Sequence, residues 1–231
     1  GLMAAVPIIT IDGPGGSGKG TIAQLVADRL AWHCLDSGAL YRIVAVAGTQ
    51  QGLALDDEPS LVALLPSLNI RFASENHIWV NGEDFGSIIR EEAAGLGASQ
   101  VGALPAVRAA LLERQRQFAQ LPGLVADGRD MGTVVFPQAP LKIYLTASAE
   151  ERAQRRYKQL INKGQSVSLP ALLEDIRARD ERDMQRAVAP LRPAADAVVI
   201  DSTAMGIEEV VDSVLSLAMQ RGLTQAASFG Q

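Results

Sequence analysis

Residues 13–21, with the sequence G-P-G-G-S-G-K-G-T, combine residue types that suit the binding of a phosphate chain. Gly13, Gly18 and Lys19 meet the spacing G-x-x-x-x-G-K. Glycine lets the backbone turn sharply and approach a ligand closely, and N–H groups in front of a helix form a concave anion site. We therefore predict a triphosphate-binding loop. Its residues are Gly13, Pro14, Gly15, Gly16, Ser17, Gly18, Lys19, Gly20 and Thr21.

The end of this loop departs from the general motif, in which a serine or threonine directly follows the lysine and contacts Mg²⁺. Gly20 stands at that position and Thr21 follows it, so Thr21 is the candidate hydroxyl for magnesium. The competing interpretation is a flexible glycine-rich turn before an ordinary helix. The flanking pattern favours the phosphate loop, because residues 8–11 read as a strand and residues 21–31 as an amphipathic helix.

Strand and helix patterns alternate along most of the chain, which predicts an α/β fold with a parallel sheet wrapped by helices. Residues 67–89 differ, because short alternating runs around Asn81-Gly82 read as antiparallel strands. We predict a core formed by residues 4–66 and 104–222, with an insertion at 67–103. The tail from 223 to 231 is expected to be loose.

Several predicted strands end in polar residues, and ligands bind at the carboxyl ends of strands in an open parallel sheet. Asp36 and Ser37 follow one strand, with Ser37 as the expected N-cap of the next helix. The D-G-R-D run at 127–130 follows another. An arginine between two carboxylates is costly to place without a ligand, so we interpret this run as part of a site. Asp201 is better explained as a helix cap.

A basic helix and then a long charged helix follow the D-G-R-D run. A capping box, Ser148-x-x-Glu151, opens the first. Its adjacent Arg155 and Arg156 precede a polar break, which favours a lid over residues 154–168 that brings cations to a transferring phosphate, although a solvated charged face is the alternative. On the second helix, predicted over residues 169–186, one face carries Arg179, Asp183 and Arg186. Intrahelical pairing and ligand binding both explain that face.

Composition narrows the class of protein. The chain has 231 residues, 48% hydrophobic, so a full core can form, and its net charge of −5 argues against a nucleic acid polymer as the main partner. A single cysteine fits a reducing compartment, and no apolar run reaches the ~20 residues of a membrane span. We expect a cytoplasmic monomer that binds neither membrane nor nucleic acid polymer.

Taken together, several motifs resemble those of the bacterial cytidylate kinases, within the nucleoside monophosphate kinases. The resemblance covers essentially the whole chain. It is carried by G-P-G-G-S-G-K-G-T, D-S-G-A-L-Y-R, A-S-Q-V, V-A-D-G-R-D-M-G-T-V-V-F-P, E-E-R-A-Q-R-R and R-D-E-R-D-M-Q-R-A-V-A-P-L. It implies a P-loop NTPase fold with a five-stranded parallel sheet, an antiparallel monophosphate-binding insertion and a short lid.

The resemblance also implies roles for individual residues. ATP and Mg²⁺ are the implied cofactors and CMP or dCMP the implied acceptor. Lys19, Arg129, Arg186, Arg155 and Arg156 are the implied catalytic cations. The acceptor's phosphate is expected on Ser37, Arg42, Arg129 and Arg186, its cytosine on Ser99, Arg108 and Asp130, and its pentose on Arg179 and Asp183. Arg90 resembles a family arginine that swings in on closure.

Two alternatives stay open from the residues. The first is a kinase of the same fold that acts on another monophosphate, such as UMP. A nucleotide-dependent switch is disfavoured, because no D-x-x-G follows the loop and N-K-G-Q at 162–165 fails the last position of an N-K-x-D guanine reader.

Overall fold

The structure is a computed structural model that describes residues 5–187 and 189–224. Most of the predicted tail, residues 225–231, lies outside this range. The strands are β1 (Ile8–Asp12), β2 (His33–Asp36), β3 (Ile70–Phe72), β4 (Ile78–Val80), β5 (Glu83–Asp84), β6 (Leu124–Gly128), β7 (Leu141–Thr146) and β8 (Val198–Asp201). The helices are α1 (Lys19–Leu30), α2 (Ser37–Gln50), α3 (Glu58–Leu64), α4 (Glu92–Gly102), α5 (Pro105–Arg116), α6 (Ala149–Asn162), α7 (Leu169–Met184) and α8 (Ile207–Gln220).

The main sheet has five strands in the order β2-β6-β1-β7-β8. β7 pairs in parallel with β1 on one side and with β8 on the other. The inner strands are almost fully buried and rich in Ile, Leu and Val, because helices cover both faces of a parallel sheet. The predicted α/β fold with a five-stranded parallel sheet is confirmed.

A second sheet has three short antiparallel strands in the order β3-β4-β5. Asn81 and Gly82 connect the last two strands with φ values of 51° and 84°, as a hairpin turn of this type requires. The predicted antiparallel piece is therefore confirmed. It is shorter than the alternating pattern indicated, because Ile88–Arg90 forms a 3-10 turn instead of a strand.

By its internal contacts the chain divides into two compact units. Among the described residues, the first comprises 5–6 and 31–124, and the second comprises 7–30, 125–187 and 189–224. The predicted insertion, residues 67–103, lies inside the first unit. In that unit α4 packs on α2, and its glycines make this approach close: a Cβ added at Gly97 would lie only 2.8 Å from the Cβ of Ala45.

The predicted start of α2 and the predicted end of α7 were wrong. The N-cap of α2 is Asp36, whose Oδ1 accepts the N–H of Ala39 at 3.0 Å, so Ser37 is the first residue of the helix. Asp36 is the last residue of β2 and has an extended backbone, which places its carboxylate within hydrogen-bond distance of the N–H of Ala39. Helix α7 ends at Met184, so Arg186 does not share a helical face with Arg179 and Asp183. The predicted N-cap at Ser148 is confirmed, since its Oγ accepts the N–H of Glu151.

Candidate active site

The predicted phosphate loop lies in the second unit, between the end of β1 and the start of α1 at Lys19. A Cβ added at Gly13 would lie 2.1 Å from the carbonyl oxygen of Leu145, so only glycine fits there. Gly16 and Gly18 have φ values of 77° and 86°, in the left-handed region that glycine tolerates. The strand–loop–helix geometry predicted for this motif is therefore present, and α1 begins two residues earlier than the sequence pattern suggested.

Cationic side chains contact the carbonyl groups of this loop. Lys19 Nζ lies 3.5 Å from the carbonyl oxygen of Pro14, Arg152 Nη1 donates to that of Gly15 at 3.1 Å, and Arg155 Nη1 lies 3.4 Å from that of Ser17. The hydroxyl of Ser17 is buried and has no hydrogen-bond partner among the described residues. Since buried polar groups are usually hydrogen-bonded, this hydroxyl is suited to donate a hydrogen bond to an oxygen of a ligand.

Arg129 lies beside the loop and is only partly satisfied by protein groups. Its Nε donates to Asp183 Oδ2 at 2.7 Å, whereas its Nη2 is buried without a hydrogen-bond partner among residues 5–187 and 189–224. A Cβ added at Gly15 would lie 3.5 Å from this Nη2 and 3.4 Å from the Cζ of Arg179. Two guanidinium groups thus flank the phosphate loop, which is an arrangement suited to anionic oxygens.

Asp12 connects the loop that follows β6 to the base of the phosphate loop. Its two carboxylate oxygens accept the N–H groups of Met131 and Gly132, each at 2.8 Å, at the start of the π-helical turn Met131–Val135. Burial raises the pKa of Asp12 from its ordinary 3.8 to about 6; the charge of Asp130 acts in the same direction, and the two N–H donors and Lys19 oppose it. Asp12 therefore holds the residues next to Arg129 and Asp130 in place.

The arginines predicted for the lid differ in their surroundings. Arg155 pairs with Glu151 at 3.2 Å and donates to the carbonyl oxygen of Ser202 at 2.9 Å, in addition to its contact with Ser17. Arg156 is exposed, and Gln159 is its hydrogen-bond partner at 3.5 Å. Of these two arginines, Arg155 is thus the one next to the phosphate loop. Which of the two contacts phosphate stays a prediction.

Arg186 lies just beyond α7, where its Nη2 donates to the carbonyl oxygen of Ala189 at 2.6 Å. Ala189 has a φ of 51°, which an alanine adopts only rarely. On α7 itself, Asp183 pairs with Arg129 from another element. Asp183 therefore makes an ion pair outside its own helix, beyond ordinary intrahelical pairing. The binding of a pentose by Arg179 and Asp183 stays a prediction.

The first unit contains a separate group of predicted acceptor residues. Ser37 Oγ donates to Oε1 of the buried Gln115 at 2.9 Å. Arg42 Nη1 donates to the carbonyl oxygen of Ile89 at 2.8 Å, and its guanidinium lies against α4, where a Cβ added at Gly95 would come within 3.3 Å of Nη2. The structure thus brings Arg42 next to the helix that carries Ser99.

The remaining residues predicted for the first unit are exposed and bonded to nearby backbone. Ser99 Oγ donates to the carbonyl oxygen of Gly95 at 3.3 Å, Arg108 to that of Gly102 at 3.2 Å and Arg90 to that of Asn76 at 3.2 Å. A single hydrogen bond between an exposed side chain and a backbone carbonyl adds little to stability, so each of these side chains can exchange it for a ligand at little cost. Their roles toward the base and the phosphate stay predictions.

Magnesium fits these residues in a restricted way. In the described part of the chain, no three His, Cys, Asp or Glu side chains form a metal-type cluster, and both oxygens of Asp12 already accept backbone N–H groups. Thr21 is exposed on the first turn of α1. Since Mg²⁺ keeps several waters and binds through substrate phosphates with one or two protein oxygens, the residues present fit an ion held mainly by nucleotide and water.

Sequence reasoning missed Arg152 and Asp180 beside the phosphate loop, and it missed Gln115, which accepts a hydrogen bond from Ser37 in the first unit. Arg152 stands in a charged run that reads as solvated, but it is buried on α6 together with Ala153 and Leu160. Its position in the sequence could have indicated this burial, because Arg152 is adjacent to Ala153 and eight residues before Leu160, and these apolar residues mark the helix face that packs inward. No local signal distinguishes Gln115 from an ordinary helix-surface glutamine.

No described helix is long and apolar enough to cross a membrane.

Comparisons with known proteins agree on a family. The sequence model of the cytidylate kinase family matches residues 9–220. The cytidylate kinase of Pseudomonas paraeruginosa is 59% identical over 226 residues, which cover 96% of this chain and 99% of that protein. The cytidylate kinase of Stutzerimonas stutzeri is 58% identical over 227 residues, with coverage of 96% and 99%.

Among solved structures, the shikimate kinase of Acinetobacter baumannii, in complex with shikimate, superposes with a TM-score of 0.51. It is 17% identical and covers 95% of this chain and 96% of its own. This similarity concerns the fold alone.

Proposed function

This chain belongs to the cytidylate kinase family, and we propose that it transfers the γ-phosphoryl group of ATP to CMP or dCMP. The products are ADP and CDP or dCDP. The observation that carries the proposal is the buried Nη2 of Arg129, which has no protein acceptor in the described ranges and lies beside Gly15 of the phosphate loop. A donor in that position suits the oxygens of a phosphoryl group in transfer.

The chemistry needs positioning and charge neutralisation more than acid–base groups. A phosphate oxygen of the monophosphate, which is already an anion, attacks the γ-phosphorus of ATP. A new P–O bond forms as the bond from the γ-phosphorus to the β–γ bridging oxygen breaks, and ADP leaves. No general base is required. Magnesium, when bound, neutralises charge on the β- and γ-phosphate oxygens.

The residues of the second unit are assigned to the donor and to the phosphoryl group. The N–H groups of the loop and Lys19 hold the ATP phosphates. Arg129, Arg155, Arg156 and Arg186 neutralise charge on the group in transfer, with Thr21 as the candidate hydroxyl toward magnesium. Asp183 holds Arg129 in place through its 2.7 Å contact and, with Arg179, binds the pentose hydroxyls of the acceptor. The second unit also supplies Asp130 to the cytosine.

The residues of the first unit are assigned to the nucleoside monophosphate. We assign its phosphate to Ser37, Arg42, Arg129 and Arg186, and Arg90 resembles a family arginine that swings in on closure. Ser99 and Arg108 read cytosine together with Asp130. A wrong base leaves such polar groups unpaired, which is a strong basis for discrimination.

We also propose that the protein is a cytoplasmic monomer that binds no nucleic acid polymer.

The experiment is a comparison of acceptors. Purified protein with ATP and Mg²⁺ receives CMP, dCMP, UMP, AMP or GMP, and kcat/KM is measured for each. CMP or dCMP is expected to exceed UMP by tenfold or more, on the order seen when one buried polar contact is lost. A higher kcat/KM for UMP would replace the proposal by the alternative pyrimidine specificity.

A further inference from the structure

We propose that Arg152, held by Asp180, is a positioning residue that fixes the peptide between Gly15 and Gly16, so that the N–H of Gly16 faces the phosphates of ATP. This role rests on the proposed function, because it concerns the same donor site. Neither residue belongs to the predicted site, and neither is assigned to contact a nucleotide.

Arg152 is 4% exposed, although it stands on the first turn of a strongly charged helix. Its Nε donates to the carbonyl oxygen of Ala147 at 3.0 Å, and its Nη1 donates to that of Gly15 at 3.1 Å. Asp180 accepts two further bonds, from Nη1 at 2.9 Å and from Nη2 at 2.5 Å. Arginine is rarely buried unless it is paired, and here one guanidinium joins the residue that follows β7, the phosphate loop and α7.

The contact with Gly15 determines where the next N–H points. The carbonyl of Gly15 and the N–H of Gly16 belong to one planar trans peptide, so they point in opposite directions. Because the carbonyl oxygen is bound to the buried Arg152, the N–H of Gly16 is directed away from α6. Gly16 has a φ of 77°, and a Cβ added there would lie 3.4 Å from the Cβ of Arg152.

The charge of Arg152 is matched by Asp180, so its effect on phosphate is geometric. The bidentate pair fixes the plane of the guanidinium, and that plane presents Nη1 to the loop. A loop without this contact can rotate the Gly15–Gly16 peptide and turn a carbonyl oxygen toward the anion. Binding of a phosphate chain would then weaken, whereas binding of the monophosphate acceptor would change little.

The main variants are Arg152→Met, which keeps most of the packing stem, and Asp180→Asn, which weakens the bidentate pair. Removing one partner leaves a buried charge uncompensated. The double variant Arg152→Met/Asp180→Leu removes both charges and keeps the test open if Arg152→Met does not fold. Arg177→Met is the matched control, because Arg177 pairs with Glu150 between the same two helices and both side chains are exposed, at 59% and 61%.

The experiment measures binding of ATP, inorganic tripolyphosphate and CMP by calorimetry, with thermal unfolding of each variant beside it. In Arg152→Met and in the double variant, ATP and tripolyphosphate should both bind about tenfold to a hundredfold more weakly, and CMP within about twofold of the wild type. Asp180→Asn should weaken the binding of ATP and tripolyphosphate by a smaller factor. Arg177→Met should bind all three normally.

Unchanged tripolyphosphate binding in a folded Arg152→Met or double variant overturns the positioning role. An equal loss for CMP also overturns it, since the pair would then support the fold as a whole. Failure of the proposed function is a separate outcome, in which the wild type binds ATP and tripolyphosphate but forms no CDP.

Discussion

The guanidinium of Arg129 donates through Nε to the carboxylate of Asp183 at 2.7 Å, while its buried Nη2 has no acceptor within the described residues. Asp183 therefore fixes the orientation of a side chain whose other end remains available. Buried donors in proteins are nearly always bonded, so this arrangement indicates that a ligand completes the set.

Replacing Arg129 by Met removes the cation and keeps a side chain of similar length. We expect kcat for CMP phosphorylation to fall about 10²–10³-fold, as when one preorganised donor is lost, with ATP binding within a few-fold. The measurement is steady-state kinetics with ATP binding beside it. Arg182→Met, at an exposed position on the same helix as Asp183, should retain wild-type kcat. A small change in kcat for Arg129→Met would show that Arg129 does not stabilise the phosphoryl group during transfer.

Lys19→Met tests the phosphate loop. The lysine begins α1, and its Nζ lies 3.5 Å from the carbonyl oxygen of Pro14, from which it can move to a phosphate. We expect kcat to fall by about 10²-fold or more with little change in thermal unfolding. Arg71→Met, exposed on β3, is the control and should behave as wild type. Near-normal turnover of Lys19→Met would overturn its assigned role.

Asp130→Ala tests how the acceptor's base is recognised. A carboxylate that reads cytosine acts on the monophosphate only, so kcat/KM for CMP should fall tenfold or more while the Kd of ATP stays within about threefold. Asp175→Ala, exposed on α7, controls for the loss of an acidic side chain. Equal damage to CMP use and ATP binding would mean that Asp130 serves the metal or the structure.

The raised pKa of Asp12 predicts a pH-dependent stability. Its folded-state pKa of about 6 lies above the ordinary 3.8, so the folded protein binds a proton more tightly than the unfolded chain. As the pH falls from about 6 to 3.8, wild type should gain stability relative to Asp12→Asn, at about 1.4 kcal/mol for each unit of pH. This relative gain is lost again as the pH rises through 6.

The measurement for Asp12 is urea unfolding of both proteins between pH 4 and pH 7. The difference between their free energies of unfolding should change by up to about 3 kcal/mol across that range. Two curves that run parallel would show that Asp12 has the same pKa in the folded and unfolded states.

Two glycines of α4 offer a matched test of close packing in the first unit. A Cβ at Gly97 would lie 2.8 Å from the Cβ of Ala45, whereas a Cβ at Gly102 would lie 3.6 Å from the ring of Tyr41. Gly97→Ala should reduce the free energy of unfolding by about 1–3 kcal/mol, and Gly102→Ala should raise it by up to about 1 kcal/mol. Equal effects in urea unfolding would contradict the close approach of α4 and α2.

Local spacing made part of this architecture predictable from the sequence. Gly13, Gly18 and Lys19 lie within one loop, and the turn at Asn81-Gly82 needs only two residues with positive φ. The alternation of strands and helices likewise indicated the parallel sheet, and the predicted family is confirmed.

Other features depend on contacts between distant segments, which periodicity does not reveal. Arg152 and Asp180 are 28 residues apart and meet only because α6 packs on α7. The bond from Ser37 to Gln115 spans 78 residues. Asp36 and Ser37 are both residue types that favour the N-cap, so residue type alone could not identify the cap of α2. The extended backbone of Asp36 makes Asp36 the N-cap.

The most direct test of the central claim is phosphorus NMR of the wild-type protein with ATP, Mg²⁺ and CMP. We expect the resonances of ATP and CMP to decline together, while the α- and β-phosphate resonances of CDP grow in a one-to-one ratio with those of ADP. Growth of inorganic phosphate beside unchanged CMP would contradict a CMP kinase.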